Sequence, residues 1–343
     1  MALSFGWFAD RVCWYTVTRM SLEISNHRDA EPPLASGRIL VTGGAGFIGH
    51  YLVERLARNH KGAVTVVDNL HRGDAANLEP CARDIILRRQ DIRDRSALDE
   101  AMRGCEVVFH LAAQSSVLGS IQDMEYSCAT NVLGTFHVLE AARQAGVKRV
   151  VFTSSREVYG EPESIPVTET APLRPKNPYG ASKAAAEMYC RVFGQNDLEV
   201  VVLRLANVYG PRDTDRVIPL FVERALRGLP LFLYDGTQIL DFVWIDIVVD
   251  ALVKAASGEF SPEPLNIGSG KGTTIANLAN RILDLTNSRS LLKIEERRGV
   301  EVSRFVADTT RARARLGLPM PEDPLFGLEE VVKRAANTML RRS

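Results

Sequence analysis

The glycine-rich stretch from Gly37 to Gly49 constrains the fold of this chain more than any other part of its sequence. It begins with the apolar run 39–41, which is typical of a buried parallel strand, and helical spacing follows from Phe47. Three of its glycines are spaced three residues apart: Gly43, Gly46 and Gly49. A strand that turns sharply into a helix leaves backbone N–H groups free at the positive helix end. This arrangement predicts a site for an anion such as a pyrophosphate.

An acidic residue after the second apolar run indicates which dinucleotide this turn would bind. The run 64–67 ends at Asp68, which is 68 − 43 = 25 residues after the first glycine. A carboxylate at this spacing accepts hydrogen bonds from ribose hydroxyls and repels a 2′-phosphate, so it predicts NAD rather than NADP. Because Arg72 is close to Asp68 in sequence, NADP is kept as an alternative cofactor. Asp91 follows a third apolar run, and it is either a contact at the adenine edge or a turn acid.

The composition sets limits on the class of protein. The 343 residues include 42 acidic and 42 basic side chains, and 45% of them are apolar. This predicts a large core in one or two domains, with no support for a nucleic-acid partner or a membrane. Five scattered cysteines and unclustered histidines predict reduced thiols in a cytoplasmic enzyme without a metal site.

The order of strands and helices predicts an α/β fold with a doubly wound parallel, or Rossmann, sheet. Residues 37–205 are expected to form the NAD-binding domain, to which 237–268 return. A smaller C-terminal substrate-binding domain is expected from 206–236 and 269–343. Residues 1–36 do not fit this pattern, and they are predicted to be an extension: an accessory arm, a transit peptide or a start wrongly assigned upstream of Met20.

Three polar residues are candidates for the chemistry. Tyr179 and Lys183 are four residues apart on a predicted helix, so they share a face. An ammonium beside a phenol is expected to lower the pKa of the tyrosine, which suits a base that removes a hydroxyl proton. Ser155 ends the preceding strand and could hold the same oxygen. The alternatives are a solvated helix face for the pair and a turn role for the serine.

Seven stretches together resemble the extended short-chain dehydrogenase/reductase family, in particular its UDP-glucose 4-epimerase-like nucleotide-sugar epimerases and dehydratases. They occur in the family's order and extend over about residues 38–318. The stretches are Val41–Gly49, His110–Ala113, Asn131–Thr135, Ser154–Gly160, Asn177–Lys183, Leu203–Pro211 and Asn266–Ser269.

The resemblance implies a bound NAD and a nucleoside-diphosphate sugar in a cleft between domains. It implies that Tyr179 deprotonates the sugar 4-hydroxyl, with Ser155 and Lys183 as its catalytic partners. It also implies a homodimer formed through the helices that carry Asn131 and Tyr179. The implied cofactor residues are Gly43, Gly46, Phe47, Ile48, Asp68, Asn69, Asp91, Ile92, Leu111, Ala112, Ala113, Tyr179, Lys183 and Tyr209. The implied substrate residues are Arg156, Asn207, Arg212, Arg216, Val217 and Arg304.

The reaction that follows formation of the 4-keto sugar depends on Arg156 and Glu157. Glu157 occupies the position of the glutamate that dehydratases and decarboxylases of the family use at C5, whereas the surrounding residues resemble the epimerases most. Arg156 could bind the carboxylate of a uronate, or the two side chains could simply pair. Leu240 replaces an arginine that binds the diphosphate in relatives.

We therefore expect a C4 epimerase of a UDP-hexose or uronate. A 4,6- or 5,6-dehydratase and a uronate decarboxylase are the enzymatic alternatives. An idle NAD-binding or RNA-binding relative is the alternative of another class. The loss of the arginine at Leu240 is expected to be compensated by Arg212, Arg216 or Arg304, unless the substrate itself differs.

Overall fold

A computed structural model of the chain describes residues 37–195 and 198–340. The expected N-terminal extension lies outside the described residues. Within the described part, no helix is both long enough and apolar enough to cross a membrane.

Short strands alternate with helices along the described chain. The strands are β1 (Arg38–Thr42), β2 (Val64–Asp68), β3 (Ile85–Arg89), β4 (Cys105–His110), β5 (Arg149–Ser155), β6 (Glu199–Leu205), β7 (Asn207–Tyr209), β8 (Leu231–Tyr234), β9 (Ile239–Trp244), β10 (Leu265–Ile267), β11 (Gly272–Thr274) and β12 (Leu292–Glu295). The helices are α1 (Phe47–Asn59), α2 (Arg95–Ala101), α3 (Val117–Gln122), α4 (Met124–Cys128), α5 (Gly134–Gln144), α6 (Pro178–Phe193), α7 (Val217–Leu226), α8 (Ile245–Ser257), α9 (Ile275–Thr286), α10 (Thr310–Leu316) and α11 (Leu328–Leu340).

Seven of these strands form one parallel sheet in the order β10-β6-β5-β4-β1-β2-β3. Ile39 and Val41 of β1 belong to one buried apolar cluster, and Leu40 belongs to another. Successive side chains of a strand point to opposite faces, so the sheet is covered on both sides. The predicted doubly wound α/β fold is confirmed.

The order of the strands fixes where a ligand would bind. The chain moves outward from β1 through β2 to β3, and then crosses back to place β4 on the other side of β1. A cleft opens at the carboxyl ends of the strands at such a switch point. Two small sheets, β11-β9-β7 and β12-β8, are built mainly by the later part of the chain.

The helix expected to carry Asn131 contains a π-helical turn. Ala129–Leu133 is π-helical, and the regular helix α5 begins only after it. In this turn the Asn131 amide donates to the carbonyl of Gln114 and to the hydroxyl of Ser182, both at 2.9 Å, and its oxygen accepts from the Gln114 N–H. The turn therefore positions a buried amide that joins the loop after β4 to helix α6.

The contact between Gly49 and the preceding turn yields a prediction about stability. A Cβ atom at Gly49 would lie 2.1 Å from the carbonyl oxygen of Gly43, and this oxygen is backbone that cannot move aside cheaply. We expect Gly49→Ala to lower the free energy of unfolding by about 2 kcal/mol or more in urea titration. The control is Gly299→Ala, because a Cβ there meets no heavy atom within 4 Å. Equal stability of the two variants would contradict this prediction.

Candidate active site

A cleft of about 1260 Å³ opens at the carboxyl edge of the parallel sheet. This volume exceeds the range of roughly 300–1,000 Å³ that is usual for one small ligand, so the cleft has room for two. Its lining includes the turns after β1, β2, β4 and β5, the first part of α6 and residues from the later part of the chain. Among the described residues, no group of three or more His, Cys, Asp or Glu could hold a metal ion.

The glycine turn after β1 forms one wall of the cleft. Gly43 has a φ of +72°, and a Cβ there would lie 2.6 Å from the backbone nitrogen of Ala112, so no larger residue fits. Gly46 caps helix α1 without a side-chain hydrogen bond, and Phe47 and Ile48 follow it in the lining. The free N–H groups at this helix end therefore face a space that a pyrophosphate would fill.

The carboxylate of Asp68 is held rigidly beside this turn. One oxygen accepts from the Ala45 N–H at 2.9 Å, and the other accepts from the Leu70 N–H at 2.8 Å. Burial raises its pKa. Each carboxylate oxygen keeps a further lone pair for a ribose hydroxyl. Arg72 is already paired with Asp215, so its guanidinium is engaged there rather than kept for a 2′-phosphate. These residues fit NAD.

Asp91 does not itself line the cleft, although its neighbours Gln90 and Ile92 do, as does Asn69. Its carboxylate pairs with Arg93 at 2.8 Å and accepts from the Asn69 amide at 2.8 Å. The hydrogen bonds from Arg93 lower the pKa of Asp91 to about 2. A contact of Asp91 with the adenine edge stays a prediction, and in this structure its carboxylate holds the Asn69 amide.

The remaining predicted cofactor residues lie in the lining. Leu111, Ala112 and Ala113 follow the last residue of β4, and Tyr209 ends β7. The Tyr209 hydroxyl donates to the Pro324 carbonyl at 2.8 Å and accepts from the Gly327 N–H at 3.2 Å. It is therefore the ring of Tyr209, with its hydroxyl tied to the C-terminal segment, that forms the wall.

The structure brings the three predicted catalytic residues together. Ser155 ends β5, and its hydroxyl lies near enough to the Tyr179 phenol to act on the pKa of that phenol. Helix α6 enters through Pro178, and the Asn177 side chain caps it by accepting from Gly180. One turn later, the Lys183 ammonium donates to the Thr153 carbonyl at 2.9 Å. Ser155, Tyr179 and Lys183 all line the cleft.

The predicted lowering of the Tyr179 pKa is wrong in this structure. Burial raises the pKa of Tyr179, because the phenolate would lose its hydration, and the hydrogen bond from Ser155 offsets this only in part. Burial also lowers the pKa of Lys183 to about 8. The Lys183 ammonium donates to a backbone carbonyl. The spacing of four residues therefore predicted correctly that Tyr179 and Lys183 share a helix face, but it did not predict the direction of the Tyr179 pKa shift.

Arg156 and Glu157 form a buried ion pair in the lining, next to Ser155. The Arg156 Nη2 atom lies 2.9 Å from Oε1 of Glu157, whose other oxygen accepts from the Asn177 amide at 2.8 Å. Both carboxylate oxygens of Glu157 thus already have a donor. The Arg156 Nη1 atom is buried and has no hydrogen-bond partner among the described residues.

Most of the predicted substrate residues from the later part of the chain line the cleft. Arg212 pairs with Glu54, and Arg216 pairs with Asp213. Val217 also lines the cleft. The side-chain amide of Asn207 lines it too, and donates to the Asp241 carbonyl at 3.1 Å. Leu240 lies in the lining as a buried apolar side chain, so the cation expected at its position is absent there.

Arg304 is exposed and does not line the cleft, contrary to the prediction. It alternates with the buried Ser303 and Phe305 in a segment that bridges β9, so its side chain points away from them. Arg298 lines the cleft instead, with its guanidinium 3.7 Å from the centre of the Tyr234 ring.

Arg224 is a second cleft arginine that sequence reasoning missed. It lies on α7, with its guanidinium 4.6 Å from the centre of the Phe232 ring. Arg224 lies seven residues after Val217, and residues at this spacing share a helix face. This spacing could have predicted that Arg224 lines the cleft together with Val217.

The comparison with known proteins agrees with this geometry. A model of the NAD dependent epimerase/dehydratase family matches residues 39–268. The chain belongs to this family. A protein of Methanocaldococcus jannaschii named putative UDP-glucose 4-epimerase is 37% identical over 310 residues, which are 88% of this chain and 98% of that protein.

Two solved structures are similar over nearly their whole length. One is the UDP-glucose 4-epimerase of Thermotoga maritima with UDP-glucose, with a TM-score of 0.83, 36% identity, and coverage of 88% of this chain and 99% of that one. The other is the dTDP-glucose 4,6-dehydratase DesIV of Streptomyces venezuelae with NAD bound, with a TM-score of 0.84, 34% identity, and coverage of 89% and 98%. The chain is thus an NAD-dependent enzyme whose relatives are nucleotide-sugar epimerases, dehydratases and uronate decarboxylases.

The lowered pKa of Lys183 yields a prediction about the pH dependence of stability. Its pKa falls from 10.5 to about 8 on folding, so the unfolded chain binds more protons between these values. Wild-type stability should therefore increase relative to that of Lys183→Met as the pH rises from 8 to 10, by on the order of 2–3 kcal/mol. Urea titrations at pH 7 and pH 10 measure this difference. The exposed Lys333→Met is the control, and a difference independent of pH would refute the prediction.

Proposed function

We propose that this enzyme inverts C4 of a nucleoside-diphosphate sugar, with a uridine nucleotide as the carrier, through a transient 4-keto sugar. The observation that carries the proposal is that Ser155, Tyr179 and Lys183 meet in one cleft that the glycine turn and Asp68 also line. The similarity to 4-epimerases, one of them with UDP-glucose bound, supports the reaction and the carrier.

Each catalytic side chain has a role that follows from its position. When bound, NAD supplies a reversible acceptor for the hydride of C4. Tyr179 exchanges the proton of the 4-hydroxyl, and the Ser155 hydroxyl holds the same oxygen. The ammonium of Lys183 donates to Thr153 in the wall of the cleft and supplies positive charge beside the reacting groups. The width of the cleft allows the keto sugar to turn over before the reverse step.

The later part of the chain is proposed to bind the nucleotide. Arg216, Arg224 and Arg298 line the cleft and are the candidates for the diphosphate, in place of the arginine that Leu240 replaces. Guanidinium groups suit this role because they bind phosphate oxygens through two parallel N–H groups. Val217 and Asn207 are proposed contacts of the nucleobase and of the diphosphate, respectively.

Epimerisation is favoured over a lyase reaction by the partners of Glu157. A lyase of this family would need a carboxylate to take the C5 proton. Here the two oxygens of Glu157 already accept from Arg156 and Asn177. Elimination or loss of carbon dioxide remains the alternative reaction, since related dehydratases and decarboxylases exist. An idle NAD-binding protein would bind the cofactor and convert no sugar nucleotide.

Removal of the Tyr179 hydroxyl tests this function. We expect Tyr179→Phe to lower kcat for interconversion of UDP-glucose and UDP-galactose by about 10²- to 10⁴-fold, because it removes the acid–base group. NMR in D₂O should detect inversion at C4 without deuterium at C5. Tyr189→Phe, on the exposed side of the same helix, is the matched control. Deuterium at C5, or unchanged turnover in Tyr179→Phe, would refute the proposal.

We propose the domain division and the cellular location as the sequence predicts them. The NAD-binding domain would comprise 37–205 with 237–268, the substrate-binding domain would comprise 206–236 and 269–343, and 1–36 would be an extension. The return of β10 to the edge of the large sheet beside β6 supports this division. Unpaired thiols at four cysteines of the described residues support a reducing, cytoplasmic location.

We also propose a homodimer that forms through α5, α6 and the turns before them. A groove of about 250 Å³ is lined by Cys128, Val132, Leu133, Phe136 and Tyr189. Leu133 and Tyr189 are 49% and 41% exposed, and other exposed apolar side chains extend this face: Leu118, Ile121, Met124 and Met188. An apolar groove with exposed apolar side chains on the helices around it suits a second copy of the same helices.

A charge in this groove tests the dimer. We expect Leu133→Asp to produce monomers in sedimentation-velocity experiments at micromolar concentration, because the aspartate would be desolvated on association. Leu291→Asp is the control, since Leu291 is an exposed leucine in a different part of the chain. Dimers of Leu133→Asp as stable as those of the wild type would contradict the proposed interface.

A further inference from the structure

The Nη1 atom of Arg156, the residue that follows Ser155, has no hydrogen-bond partner in the described part of the chain. We propose that Arg156 binds a carboxylate at C6 of the sugar, so that the substrate is a nucleoside-diphosphate uronic acid. This inference rests on the proposed C4 epimerisation and names the substrate class that the same cleft selects.

The position of Arg156 is fixed by the chain around it. It directly follows Ser155 and begins the 3₁₀ turn Arg156–Val158, and its guanidinium lies 5.9 Å from the centre of the Phe305 ring. The side chain is 12% exposed, and Nη2 lies 2.9 Å from Glu157. The orientation of the guanidinium is therefore held by an ion pair and an aromatic ring, in the lining of the cleft.

The Nη1 atom of Arg156 lacks the acceptor that a buried charged donor requires. It is buried and has no hydrogen-bond partner among the described residues. Buried donors in native proteins are almost always satisfied, and an unsatisfied one at a site calls for an explanation. An acceptor on the substrate would supply the missing hydrogen bond, because Arg156 directly follows Ser155 and lines the same cleft.

A carboxylate suits this donor better than a hydroxyl. A guanidinium binds a carboxylate through charge-assisted hydrogen bonds, which are shorter and stronger than those to a neutral group. Glu157 engages only Nη2 of Arg156, so a second anion could be bound by the same guanidinium.

The chemistry of the sugar places that carboxylate at C6. Ser155 and Tyr179 must face the oxygen on C4, so a residue next to them reaches the substituents of C3 and C5. Of these two carbons, only C5 bears a carbon substituent in a hexose ring. Oxidation of this substituent gives a carboxylate, whereas a neutral hexose offers only a primary hydroxyl.

The test compares charged and neutral substrates. Wild-type kcat/KM should be higher for UDP-glucuronate than for UDP-glucose by about 10-fold or more, the value of one charged hydrogen bond. Arg156→Gln should lower kcat/KM for UDP-glucuronate by about 10- to 100-fold more than kcat/KM for UDP-glucose, mainly through KM. Arg156→Lys should retain part of the preference.

Two further variants separate recognition of the carboxylate from a structural role. Arg156→Gln leaves Glu157 without its ion pair, so the double variant Arg156→Gln, Glu157→Gln removes both charges and should also lose the preference for the uronate. Arg315→Gln, which removes an exposed arginine paired with Glu263, should leave both substrates unaffected. Equal losses for the two substrates in Arg156→Gln, or a wild-type preference for UDP-glucose, would overturn the inference.

Binding to the inactive Tyr179→Phe enzyme separates this inference from the proposed reaction. Calorimetry should give tighter binding of UDP-glucuronate than of UDP-glucose, and Arg156→Gln in the same background should abolish the difference. If neither sugar is epimerised by the wild type but this preference is observed, the proposed reaction fails and recognition of the carboxylate stands. If UDP-glucose is epimerised and no preference exists, only recognition of the carboxylate fails.

Discussion

The buried ion pair between Arg204 of β6 and Glu187 of α6 holds this helix, which carries Tyr179 and Lys183, on the sheet. The two side chains approach to 2.6 Å and are only 6% and 4% exposed. The Ser154 hydroxyl also donates to Glu187, at 2.5 Å. A pair of this kind need not add net stability, but loss of one partner leaves an uncompensated buried charge. It therefore gives α6 one register against β5, and this register places Tyr179 opposite Ser155.

Arg204 also connects helix α6 to the later part of the chain. Arg204 donates to the Tyr159 hydroxyl at 2.8 Å, and this hydroxyl donates to Asn266 of β10 at 2.7 Å. Arg204 also donates to the Glu169 carbonyl. Because every member of this network is buried and satisfied, the strand ends that form the floor of the cleft are fixed together.

Local sequence patterns predicted the elements well, because strand runs, helix spacing and the glycine turn are set by neighbouring residues. They also predicted that Ser155, Tyr179 and Lys183 meet, since all three sit at fixed positions on such elements. What they missed depends on burial and on distant partners. The upward shift of the Tyr179 pKa follows from desolvation of the phenol. The outward position of Arg304 follows from the burial of its neighbour Phe305. Spacing along the chain does not reveal which side chains are buried.

The two walls of the cleft attract anions in different ways: one through a local backbone turn, the other through side chains that are distant in sequence. Backbone N–H groups at the start of α1 need no side chain to attract one anion, so that wall is set by glycines alone. The opposite wall lacks a cation at Leu240, and its arginines come from α7 and from the segment at Arg298, which lie far apart in sequence. Several elements therefore supply guanidinium groups to the lining of this wall, where the chain itself has Leu240.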